Sequence, residues 1–188
     1  IAGLAAASGR NPVEVVLDLL VERDGNQLLY MPLFNFARGN LDDVREMLLA
    51  PNSLLGLSDA GAHCGAISDA SMTTTALALW TRDRRHDRLP IELMVHHLTQ
   101  RGAQHVGWFD RGVVAPGYLA DLNVIDMGTL AAHPPHIVRD LPAGGRRLVQ
   151  DASGYRHTFK RGVETFADGV HTGQLPGGLV RGTQPAPV

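Results

Sequence analysis

Apolar positions in the first half of the chain switch between helical and strand-like spacing. Asn11 has the short polar side chain of an N-cap, Pro12 suits the first helical position, and Glu14 completes a capping-box pattern. Val13, Val16, Leu17 and Leu20 then recur at i, i+3, i+4 and i+7, predicting a helix with one apolar face that ends at Asp24-Gly25. Gln27 to Phe34 reads as a buried strand with Pro32 near its far end. Asn40 and Asp43 start a second helix, carried by Val44, Met47 and Leu48 and stopped at Pro51. Ser53 to Leu57 is a short apolar run without alternation, the pattern of a strand covered on both faces. Strand, helix, strand in this order predicts a parallel α/β unit.

Two further helices are expected. Ser71 caps the first, with Met72, Ala76, Leu79 and Trp80 on one face, and it runs out into the stretch Arg82 to Arg88. Pro90 opens the second, with Ile91, Met94, Val95 and Leu98 at helical spacing. Near Gly107 the texture changes. From Gly112 the chain has short β-rich runs: Val113-Val114, Leu122 to Ile125, Tyr155 to Phe159 and Val163 to Phe166. Tyr155, His157 and Phe159 alternate with period two, and Lys160-Arg161-Gly162 predicts a hairpin turn. The tail from Gly173 to Val188 is rich in Gly and Pro and is expected on the surface.

Composition narrows the classes. Hydrophobic residues make up 44% and charged residues 19% of 188, as in a soluble globular protein. A formal net charge of −2 gives no electrostatic reason to expect nucleic acid or an anionic membrane as partner. No apolar run reaches the ~18 residues that a bilayer span needs. Cys64 is the only cysteine, so neither an intrachain disulfide nor a thiolate zinc cluster is possible, in keeping with a cytoplasmic protein. The chain opens Ile1-Ala2-Gly3-Leu4 without methionine or signal-peptide pattern, and residues upstream are expected to be missing from it.

The sharpest chemical feature is Leu55-Gly56-Leu57-Ser58-Asp59-Ala60-Gly61-Ala62-His63-Cys64, an apolar run leading directly into an aspartate, a glycine loop and a histidine. At the C-terminal end of a barrel strand such an acid is placed for catalysis. Equally, Asp59 by itself fits the cap of a turn or of the next helix. The second feature is Arg111-Gly112-Val113-Val114-Ala115-Pro116-Gly117-Tyr118-Leu119-Ala120-Asp121-Leu122-Asn123-Val124-Ile125-Asp126. It resembles the segment by which amidohydrolase-superfamily chains leave the last barrel helix and enter a small β-sandwich. The ending from Thr172 to Gly182 resembles the terminus of the D-aminoacylase branch.

The resemblance implies an α/β fold: the C-terminal part of a metal-dependent hydrolase (β/α) TIM barrel over residues 1–108, then a β-sandwich portion and tail over 109–188. It implies hydrolysis of a C–N amide bond, in an N-acyl (D-)amino acid, by a zinc enzyme. Asp59 matches the aspartate after the final barrel strand, which takes a proton from metal-bound water, passes it to the leaving nitrogen, and in many relatives also touches the metal. Zinc supplies such chemistry by lowering the pKa of bound water to about 7. His63, on the same loop, is the substrate-contact candidate. The departures are specific. No His-x-His occurs in the chain, so most zinc ligands are expected upstream, and Ala60 stands between Asp59 and Gly61 where that branch has glycine directly.

His96 and His97 fit packing or surface positions on their helix, and His105, His133, His136, His157 and His171 lack metal-ligand spacing. Arg82, Arg84, Arg85 and Arg88, interleaved with Asp83 and Asp87, read as a solvated helix end. Two other functions fit the sequence: a cyclic amidohydrolase of the hydantoinase or dihydroorotase kind, and a non-catalytic structural or assembly module. With two of eight barrel strands expected here, a missing N-terminal segment, a partner chain or a homo-oligomer would have to complete the barrel around a small-molecule amide.

Overall fold

The computed structural model describes residues 1–32, 34–56, 58–60, 65 and 69–188, which divide into two compact units, Ile1–Pro51 and Asn52–Val188. The first unit is helical. Helix α1 (Ala2–Ser8) stops at Gly9, which takes the left-handed conformation at φ 64°. Helix α2 (Pro12–Gly25) begins as the sequence predicts: the Asn11 side chain accepts the Val13 amide at 2.9 Å, with Pro12 in the first turn. Its helical geometry ends ahead of Asp24-Gly25, since Glu22, Arg23 and Asp24 all leave the helical region. Helix α3 (Asp42–Leu49) has Asp42 and Asp43 in its first turn, where carboxylates suit the positive end of the helix dipole. Asn40 accepts the Asp42 amide at 3.1 Å and turns the chain into it.

The strand expectations in this half are corrected. Residues 27–32 and 53–56 form no strand, and Leu54 is exposed rather than covered. An apolar run registers a tendency to be buried, but a strand exists only with a neighbour that takes its hydrogen bonds. The apolar face of α2 is also open: Val13 is 74% exposed and Leu17 60%, while Val15 is buried.

The second unit joins helices to antiparallel sheets. Helix α4 (Met72–Ala78) continues into a π-turn over Leu79–Asp83, and α5 (Ile91–Leu98) and α6 (Gln100–His105) follow. Ala76, Leu77, Ala78, Trp80, Leu89, Met94 and Leu130 are buried hydrophobic residues of this unit, with Met94 and Leu130 wholly inaccessible. On α5 the buried stripe is Met94 and His97, not the expected Ile91 and Val95, which are exposed. The sequence reading of Arg82 as solvated is corrected too. Its guanidinium bonds the carbonyl oxygens of Met127 and Leu130, the latter at 2.8 Å, as well as the Asp83 carboxylate. The π-turn thus ends on a cation that caps two carbonyls of the β-region.

Eight strands follow: β1 (Leu122–Ile125), β2 (Ala131–Ala132), β3 (His136–Leu141), β4 (Gly145–Val149), β5 (Ala152–Ser153), β6 (Tyr155–Lys160), β7 (Val163–Ala167) and β8 (Val170–His171). A four-stranded sheet has the order β1-β6-β7-β8, and β2 with β5 and β3 with β4 make two-stranded sheets, all antiparallel. The predicted hairpin is present. Lys160 pairs with Val163, and Arg161 and Gly162 both have positive φ, as a two-residue turn matching strand twist demands. Asp168-Gly169 repeats the device between β7 and β8. Val113-Val114, expected as β-structure, forms no strand. The sheets are open; among the described residues neither a closed barrel nor a sandwich is formed.

Candidate functional site

Asp59 follows residues 53–56, which belong to no strand among the described residues, and it is exposed between half-buried Ser58 and Ala60. The expected position at the end of a parallel strand is therefore not formed by the described residues. His63 and Cys64 lie outside them. Ahead of α4, the Met72 amide donates to the Asp69 carbonyl at 3.0 Å. What Asp59 offers chemically is an open carboxylate, able to accept a proton from water and return it.

The histidines fall apart from one another. His97 is 3% exposed on α5, with its Nε2 3.5 Å from Arg101 Nη1, so it packs as the sequence predicts, whereas His96 is exposed. His136 faces Asp151 at 3.8 Å, and His157 pairs with Glu164 at 2.5 Å across β6 and β7. His171 Nδ1 accepts the Gly173 amide at 3.0 Å. Among the described residues no group of three or more His, Cys, Asp or Glu side chains could hold a metal ion. By themselves they do not fit the zinc that the resemblance implies.

The 111–126 segment is a scaffold held by charge. Arg111 binds both Asp110 oxygens, at 2.7 and 3.0 Å, lies 4.9 Å over the Trp108 ring and comes within 3.7 Å of Asp121. The Arg111 bond keeps the Asp110 carboxyl below its ordinary value, and the same bond raises the arginine's. Asp121 reaches across to the β6–β7 turn, taking the Lys160 ammonium on one oxygen and the Arg161 amide at 3.0 Å on the other. Burial works against its charge, but the Lys160 and Arg161 bonds outweigh it and hold the carboxyl below the usual range. Asp126 is likewise held down, by bonds from Thr129, Arg156 and the Gly128 amide. Only the Ala120-Asp121 pair signalled any of this in the sequence; the partners Lys160 and Arg156 lie 39 and 30 residues beyond the aspartates they bind and carry no local mark.

A depression of about 260 Å³ lies between β5–β6 and the β7–β8 turn, lined by Ser153, Tyr155, Arg156 and Asp168 among others. Arg156 is already engaged there, by Asp126 at 3.0 Å and Asp168 at 3.2 Å. Among the described residues no helix is long and apolar enough to cross a membrane. Compared with known proteins, residues 1–166 match the profile described as "Amidohydrolase family". No match was found among curated proteins or among solved structures.

Proposed function

Since this chain belongs to the amidohydrolase family, we propose that it works in the hydrolysis of a small-molecule amide, an N-acyl D-amino acid foremost. The observation that carries this reading is a family match over residues 1–166, a range that includes both the Ser58-Asp59 segment and the Arg111–Asp126 segment. Asp59 is the catalytic carboxylate of the proposal. It takes a proton from the attacking water as oxygen adds to the carbonyl carbon, then delivers that proton to the nitrogen as the C–N bond breaks. The products are a carboxylic acid and an amine. The exposure of Asp59 supports the role, because the group must meet both water and substrate. His63 is assigned to substrate contact.

Zinc is the metal of the proposal, with Asp59 as one donor and the remaining ligands supplied from outside the described residues. Residues 1–108 are read as the end of a barrel and 109–188 as a sandwich portion. Completion by further chain N-terminal to Ile1, by a partner or by a second copy is supported by open apolar side chains on α2 and beyond: Val13, Leu17, Leu20, Val21, Tyr30 and Phe34 are all exposed. The test is Asp59→Asn in the active protein, assayed on N-acyl D-amino acids. Loss of a proton-transfer group lowers turnover by roughly 10²–10⁴-fold, with the circular dichroism spectrum unchanged. Turnover within about tenfold of wild type, ~1.4 kcal/mol of barrier, removes Asp59 from this role.

A further inference from the structure

The last residues of the chain do not simply trail over the surface. Gln184 lies parallel to Trp108: its amide donates to the Gly107 carbonyl at 2.9 Å, and its carbonyl accepts the Phe109 amide at 2.9 Å. Those two bonds are one full rung of a parallel ladder made by a segment that forms no strand of its own. Two glycines leave the room it occupies. A Cβ on Gly107 would stand 3.1 Å from Thr183 Oγ1, and one on Gly117 would stand 2.7 Å from Pro187 Cβ. The Gln184 side chain takes no part in the seat, since its Nε2 folds back on the carbonyls of Arg181, Gly182 and Thr183.

The run leading to this contact is of the opposite character. Space is open around Gly173, Gly177, Gly178 and Gly182, and Leu175 and Leu179 are 84% and 78% exposed. An exposed, glycine-rich run therefore leads into a short segment held by the 107–109 backbone.

We propose that residues 183–187 are a strap, and that the 107–109 backbone with Gly117 is a recognition seat for one extended peptide segment, occupied here by residues 183–187. Recognition is through the backbone, by a single parallel bridge between Trp108 and Gln184, with Gly107 and Gly117 leaving room for Thr183 and Pro187. What the strap holds is the entry to the Arg111–Asp126 scaffold.

Hydrogen–deuterium exchange on the full chain and on a chain ending at Val180 tests this. Without the strap the Phe109 amide exchanges roughly tenfold faster or more. The Trp108 amide, on the Ala103 carbonyl at 2.8 Å, and the Leu119 amide, on the Asp110 carbonyl at 2.9 Å, keep their protection and report that the unit is folded. In the full chain, Gln184→Pro removes the bond to Gly107 and speeds Phe109 exchange, whereas Gln184→Ala leaves it as in wild type. A peptide of residues 181–188, added at about millimolar concentration to match a tethered segment, restores protection to the shortened chain. Equal Phe109 exchange in the full chain, the shortened chain and Gln184→Pro overturns the strap. Failure of the peptide to protect overturns the seat.

Discussion

At the scale of single residues, two glycines are fixed by contact as well as by conformation. Gly112 has φ 85°, and a Cβ there would stand 2.7 Å from the Gln100 Cα; Gly154 has φ 93°, and its Cβ would stand 2.5 Å from the Leu130 Cα. Both neighbours are backbone atoms and cannot swing aside. Gly144 shares the positive φ, at 72°, but nothing lies within 4 Å of its Cβ position. The Gly144→Ala variant therefore carries the conformational cost alone, about 1 kcal/mol, while Gly154→Ala adds the clash and costs about 3 kcal/mol or more. Urea unfolding midpoints of the two variants check this, and equal midpoints would show that the close approach costs nothing. The need for glycine at 112 could be read from the sequence as a tight turn. The identity of its neighbour could not, because Gln100 lies on the preceding helix and no pattern links the two. Asp59 stands in the same position: its residue type was legible, but the strand expected before it is not formed by the described residues, and the groups that would face it carry no local mark.

Among the elements, legibility followed how local the determining interactions are. The cap of α2 is settled by Asn11 and the Val13 amide, and the β6–β7 turn by Arg161-Gly162, so both appear where the sequence puts them. The Asp168-Gly169 turn is as local and was missed because the β8 strand beyond it has only two residues. Strands β3 and β4 were missed for another reason: Pro134, Pro135 and Pro142 interrupt the texture, and their apolar residues do not alternate cleanly. The strands expected at 27–34 and 53–57 failed in the opposite direction over their described residues, 27–32 and 53–56, since suitable side chains were present but no described segment forms a ladder with them. The sequence misread Arg82 because an arginine flanked by aspartates reads as solvated. Its two carbonyl partners, Met127 and Leu130, lie 45 and 48 residues away.

For the whole molecule, the family was legible because the 111–126 segment concentrates glycines, an Ala-Asp pair and a strand start in one register. Helices end at His105, but strands begin at Leu122 rather than at the expected Val113-Val114, and α4 to α6 share a compact unit with the sheets. That arrangement could not be read locally, since it rests on contacts such as Thr74 Oγ1 with the Tyr155 hydroxyl at 2.8 Å. The exposed apolar side chains have a collective consequence: contiguous apolar area beyond a few hundred Å² is rare on a soluble monomer. The 188-residue chain alone is expected to associate, its sedimentation coefficient rising with concentration, and a single monomer species over a wide concentration range would count against barrel completion. The aspartate ties of the β-region bear on acid resistance. The carboxyls of Asp110, Asp121 and Asp126 are all held below their ordinary values in the fold, so each binds protons less readily folded than unfolded. Their stabilisation is complete above the unfolded value of about 4 and drains away as pH falls through the lower folded values. The urea midpoint should thus decline steeply below about pH 4, and Asp121→Asn, already without its charge, should start lower and decline less. Parallel pH curves for the variant and wild type would mean that acid attacks this protein somewhere other than the knot of Asp121, Lys160 and the hairpin it ties down.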